Sequence, residues 1–280
     1  MPFAPLLVAI TLTLAPQVAG GRVPTPTEAL AMARQAYNAG RWDDALGWLA
    51  HARRLEPVAS SAELVFARVT LERFRIDGDV EAVALARLAV RAIDPAQLTD
   101  GERQELRLAT GGLLFAEEQF GVAAEVFEGV LAEGPPASDR ERIFEWWAAS
   151  LDRHAQLAPD GERQRWYRRL LEGVNAERRA GARTPTVVYW HAASLRGVDD
   201  LDRAWSVAVS GWIEAAQLEA VRRDSLRADL DRLIREAIVP ERARLALPPA
   251  DPAAVRASLV EQWEALKSRW GGVPPAGSVM

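Results

Sequence analysis

The side chains suited to catalysis or metal binding are few and scattered. His51, His154 and His191 fall in different helical segments, with no spacing that brings two imidazoles to one metal. Each reads as a surface or helix-end residue. The chain has no cysteine, which removes thiolate nucleophiles, disulfides and cysteine-bound metals. It also lacks a glycine-rich phosphate loop, a Gly-x-Ser-x-Gly elbow and a zinc signature. The acid pairs Asp43-Asp44 and Asp199-Asp200 stand at turns before helices, where carboxylates favour the helix N-terminus. A murein-cleaving enzyme needs a glutamate in a cleft, whereas Glu145, Glu214 and Glu264 lie on ordinary helical patterns. The expectation is a protein without catalysis, cofactor or metal.

Tryptophan is the unusual residue, with 10 in the chain. Trp146, Trp147, Trp166, Trp190, Trp205, Trp212, Trp263 and Trp270 all follow Ser138 and read as core fillers at helix crossings. Neighbouring positions point about 100° apart around a helix, so Trp146 and Trp147 cannot share one core. One of them is expected in solvent or between helix layers.

Hydrophobic residues make up 49% of the 280 residues, enough for a sizeable core. A net charge of -5 gives no bulk attraction to nucleic acid. Arginine runs such as Arg53-Arg54 and Arg168-Arg169 have acidic neighbours in Glu56 and Glu172, the pattern of solvated helix faces. The uncharged run from Ala4 to Ala15 is too short to span a membrane and matches the apolar core of a secretory signal over 1–20. Small residues Val18, Ala19, Gly20 and Gly21 follow it, though Met1-Pro2-Phe3 lacks the usual positive charge. This reading places the protein outside the cytoplasm, in the periplasm, with no membrane span in the mature chain; a cytoplasmic protein is the alternative.

The elements that position these side chains are helices. Thr25-Pro26-Thr27-Glu28 has the form of a helix start, and Gly40 ends the first helix. A second helix is expected from Asp43 to Leu55, before Pro57. The same helix-turn-helix unit recurs around Asp77-Gly78-Asp79 and, without a glycine, around Glu118-Gln119. Thr99-Asp100-Gly101-Glu102 has the form of a capping box for the third unit.

Three units in register, about 26–59, 64–97 and 104–137, resemble tetratricopeptide repeats. Ala33, Leu71 and Gly111 stand at the small position of the first helix, where Leu71 departs from the pattern. Trp42, Val80 and Phe120 stand at the turn position that fills space between repeats. Ala45, Val83 and Ala123 take the small position of the second helix. Leu49, Arg87 and Phe127 follow at an apolar position from which Arg87 departs, and Pro57, Pro95 and Pro135 close the units. Small residues at the crossings let helices approach, and no unit buries its apolar faces alone.

Residues 138–271 read as a Trp-rich helical region. It begins with a helix pair that lacks the small crossing positions. A degenerate fourth repeat follows at about 185–217, with Asp199 where the turn glycine belongs. Helices are then expected at about Ala220 to Ile238 and 252–270. The last is bounded by Asp251, Pro252 and Gly271 and reads as a cap on the open end of the array. The tail 272–280 reads as disordered.

The resemblance implies an all-α, right-handed repeat solenoid whose first helices line a concave, peptide-binding face. By register the lining residues are Leu30, Arg34, Tyr37 and Asn38, then Arg68, Glu72 and Arg75, then Leu108, Gly112 and Phe115. Arginine beside aromatic and apolar groups suits a protein or peptide ligand with an acidic end. The family's lysine-asparagine clamp for a terminal carboxylate is absent, since Leu30 and Arg34 do not match it. The expected function is a non-enzymatic scaffold, with no oligomeric state implied. Two alternatives stand beside it: the helical region of a murein-processing enzyme, and a structural subunit whose Trp-rich half makes the contacts.

Overall fold

The computed structural model describes residues 23–53, 58–245 and 251–271, and all regular structure among them is helical. Segment 1–20, Leu55, Pro57 and the tail 272–280 lie outside the described residues. The chain forms two compact units, Met1–Val126 and Phe127–Met280.

Unit one holds α1 (Pro26–Asn38), α2 (Trp42–Ala52), α3 (Ala59–Asp77), α4 (Val80–Ala92), α5 (Asp100–Ala116) and the start of α6 (Phe120–Ala132). Helix α1 opens with a capping box. Thr25 accepts the Glu28 N–H, and the Glu28 carboxylate accepts the Thr25 N–H at 2.8 Å. Thr99 and Glu102 repeat the device at α5. Short connections make neighbouring helices antiparallel pairs. Helix α3 packs on both α1 and α2, and α5 packs on both α3 and α4. Each new pair therefore leans its first helix on both helices of the pair before. Small side chains make this possible: Ala29, Ala33, Ala45, Ala52 and Ala62 are fully buried.

One backbone turn recurs. Gly40 and Gly78 adopt left-handed φ of 70° and 69° between the helices of a pair. Glu118 and Asp199 adopt φ of 61° and 63° at the equivalent places, although neither is glycine. The Arg41, Gln119 and Asp200 N–H groups reach back to the Ala36, Leu114 and Leu195 carbonyls, which satisfies the helix ends. Aromatic pairs brace two of these turns. Tyr37 meets Trp42 edge-on at 5.4 Å, and Phe115 meets Phe120 at 5.1 Å. In the second pair Arg75 and Val80 hold these positions. Val80 is 75% exposed, which corrects the expectation that it fills space between units. The other two departures have partners. Arg87 donates to Glu117 at 2.5 Å, and Leu71 lies over Gly112.

Unit two continues with α7 (Ala137–Leu157), α8 (Asp160–Arg179), α9 (Pro185–Gly197), α10 (Leu201–Glu214), α11 (Ala220–Leu233), α12 (Val239–Arg244) and α13 (Pro252–Trp270). The packing order repeats: α9 contacts α7 and α8, and α11 contacts α9 and α10. Helices α7 and α8 do have a small crossing position, against expectation. A Cβ on Gly173 would stand 2.2 Å from the Trp147 ring. Tyr167 uses Gly197 in the same way, and Val188 uses Gly211. Trp147 is buried there, while Trp146 is half-buried and stacks on Phe127 at 5.9 Å, so each ring finds its own layer.

Helix α11 does not end at Ile238. A π-helical turn, Ile234–Ile238, carries it into α12. Pro240 lacks the N–H that an α-helix needs four residues on, and the wider turn absorbs it. Helix α13 packs on α12, with Trp263 fully buried between Trp205 and Trp212. Asp231 pins it by accepting from Trp263 Nε1 and Lys267 Nζ, both at 2.8 Å. On α13 only Leu259 and Trp263 are buried, and Trp270 is exposed.

Candidate functional site

The residues expected to line a groove lie on the first helices α1, α3 and α5, and most already have partners. Arg34 of α1 donates to Glu102 of α5. Arg68 of α3 donates to Glu105 at 2.6 Å and lies 4.5 Å over the Tyr37 ring. Arg75 binds Glu72 at 2.7 Å on its own helix. Tyr37 and Phe115 rest on Trp42 and Phe120 at the turns. Leu30 is buried, and Asn38 is exposed. The arginines thus direct their charge to carboxylates of the same unit. Burial would push the Glu102 carboxyl up, but donors from Ser61, Thr99 and Arg34 outweigh it and hold the pKa at about 2.

Unit two carries the opposite arrangement on α7, α9 and α11. Glu141, Glu145 and Asp152 fall at i, i+4 and i+11, which at about 100° per residue puts them on one face of α7. Glu141 is paired with Arg222 of α11 at 2.8 Å. Glu145 accepts from Trp190 Nε1 of α9 at 2.9 Å, and Asp152 accepts from the Tyr167 hydroxyl at 2.7 Å. Neither has an arginine or lysine nitrogen within salt-bridge distance among the described residues. The Glu145 side chain stays open to solvent. Even so, protein crowded around its carboxylate raises its pKa, helped by Asp229 and Glu141 and opposed by the bonds from Trp190 and Thr186. Burial likewise raises Asp152 against the opposing Tyr167 bond and Arg196 charge, and raises Asp229 against the opposing charge of Arg232. Tyr189 sits among these charges. Burial, then Asp152, Asp229 and Glu145, push its phenol up to about 12. Glu141 and Asp229 on this surface are paired with Arg222 and Arg232, whereas Glu145 and Asp152 are not in ion pairs and lie beside aromatic rings, an arrangement that can receive positive charge.

Sequence alone does not mark this face: Glu145 lies on an ordinary helix pattern, and Asp152, Tyr189 and Asp229 carry no motif. The i, i+4, i+11 spacing on α7 is the available signal.

The histidines do not converge. His51 bonds the Pro24 carbonyl at 3.0 Å, and His154 meets Trp166 edge-on at 4.6 Å. His191 is buried rather than at the surface, because α9 is covered by α8 and α10. Among the described residues, no three histidine or acidic groups are placed to hold a metal ion. No helix of the described residues is long and apolar enough to cross a membrane.

No protein-family model matches the chain, and no curated protein or solved structure matches it.

Proposed function

We propose that this protein is a non-enzymatic scaffold built from tetratricopeptide-like pairs. Its guest is a polypeptide segment rich in arginine or lysine, lying along α7, α9 and α11. The observation that carries this reading is the pair Glu145 and Asp152. Both are carboxylates outside any ion pair; Glu145 is exposed and Asp152 half-buried. The stacking order supports the repeat reading, since within each unit a following pair rests its first helix on both helices of the pair before it. On unit one, by contrast, Arg34, Arg68 and Arg75 are already neutralised by Glu102, Glu105 and Glu72. The expected export signal at 1–20 makes the cell envelope the proposed setting.

The test is a calorimetric titration with an arginine-rich peptide and its glutamate-rich counterpart. The basic peptide binds at low ionic strength and weakens as salt shortens the Debye length below about 10 Å. Equal binding of both peptides, or of neither, removes the proposal.

A second reading rests on the raised pKa of Glu145, a property shared by general acids. Glycan release that disappears in Glu145→Gln would establish it. The scaffold reading expects no release by either protein.

A further inference from the structure

A recess lies on the other side of α9. Val187 and His191 are about 40° apart around this helix and Val188 about 100° from Val187, while Tyr189 is roughly 160° from His191. The recess is a cleft of about 720 Å³ between the end of α8, α9, α10 and the start of α11. Its apolar lining includes Val187, Val188, Val207 and Leu226. Its polar lining includes Arg178, Arg183, His191, Ser206, Ser210 and Glu214.

The charges in this cleft are not balanced in the way they are elsewhere. Arg140, Arg196 and Arg222 each meet a carboxylate from another helix. Arg178 instead donates to the Nε2 atom of His191 at 3.2 Å, a neutral acceptor. With Nε2 accepting, the imidazole proton resides on Nδ1. His191 is only 4% exposed, so it fixes the guanidinium from a rigid floor. Burial, then the charges of Arg178 and Arg203, keep this imidazole neutral down to about pH 4. Arg183 has no carboxylate partner among the described residues. Glu214 offsets one of the two positive charges and leaves an excess of one.

We propose that this cleft binds a small organic anion with an apolar body, of the medium-chain monocarboxylate class. The carboxylate is held by Arg178 and Arg183, and the hydrocarbon lies on Val187, Val188 and Leu226. The volume is within the usual range of roughly 300–1,000 Å³ for small-ligand sites. A guanidinium pair supplies the geometry that a carboxylate needs. This assignment does not depend on the polypeptide reading, because the cleft and the acidic surface use different faces of α9.

The test is calorimetric titration of the whole protein with hexanoate, hexanol and inorganic phosphate. Hexanoate binds saturably at one site below about 10 mM, and the other two bind at least about tenfold more weakly. Arg178→Gln and Arg183→Gln each weaken hexanoate about tenfold or more with an unchanged circular dichroism spectrum. Arg183 is exposed and makes no internal ion pair, so its variant retains the fold even if the Arg178 variant does not. Absence of saturable hexanoate binding overturns the proposal. So does affinity unchanged in Arg183→Gln, equal affinity for hexanol, or phosphate binding as tightly as hexanoate.

Discussion

Trp190 donates its indole N–H to Glu145 at 2.9 Å, which ties α9 to α7 through a carboxylate that has no basic partner. The bond holds Glu145 in place without neutralising it. A carboxyl whose folded pKa is raised binds its proton more tightly in the native state, so its ionised form opposes folding above that pKa. Glu145→Gln is therefore expected to be more stable than the parent near neutral pH. Solvent screening keeps the gain under about 1 kcal/mol. The gain disappears in acid, where the parent Glu145 is protonated. Urea unfolding at several pH values measures it. A variant less stable at neutral pH would contradict the strained-carboxylate reading.

Glu102 has the reverse sign. Its folded pKa of about 2 lies below the ordinary 4.5, so its contribution is full above 4.5 and is lost as pH falls toward 2. Glu102→Gln is expected to cost roughly 1–3 kcal/mol at neutral pH and to flatten the acid limb of the stability profile. An unchanged acid limb would show that the Arg34 and Thr99 bonds do not form in solution.

His191 adds a second acid-sensitive element. Its folded pKa of about 4 lies below the ordinary 6.5, so the unfolded chain takes up the proton first as pH falls through this window. Stability is expected to drop by roughly 1–2 kcal/mol between pH 7 and pH 5 from this residue. His191→Phe removes that part of the slope. Imidazole titration by NMR checks the cause directly, since a midpoint near 6.5 would remove it.

The glycine seats of unit two can be tested by adding one methyl group. Gly173→Ala drives a Cβ into Trp147, and Gly197→Ala drives one into Tyr167. Each is expected to cost roughly 1–3 kcal/mol through overpacking. Gly161→Ala, on the same helix α8 with open space around it, is expected to be neutral or stabilising by about 0.5–1 kcal/mol. Equal effects at Gly161 and Gly173 would argue against close contact of α7 and α8.

Local signals carried the helix boundaries. Thr25 with Glu28, Thr99 with Glu102, and Asp251 with Pro252 each mark a helix start because the caps bond within a few residues. Asp199 could be read as the stand-in for a turn glycine, and its left-handed φ of 63° follows. Long-range partners were not legible. Arg87 breaks the repeat pattern in sequence because its partner, Glu117, is 30 residues away. Arg34 and Arg68 read as free groove charges because Glu102 and Glu105 sit on a later helix. The helix from Ala220 is expected to end at about Ile238, because the π-helical turn that carries it on leaves no separate mark in the residue pattern. The acidic face needs α7, α9 and α11 side by side, and only the packing of unit two brings Glu145, Tyr189 and Asp229 together.

Hydrogen exchange read by mass spectrometry, with and without an arginine-rich peptide, tests the binding face most directly. The expected result is added protection in 137–157, 185–197 and 220–233, abolished in a Glu145→Gln, Asp152→Asn double variant. Protection confined to 26–38, 59–77 and 100–116, or binding undiminished in the double variant, would contradict it.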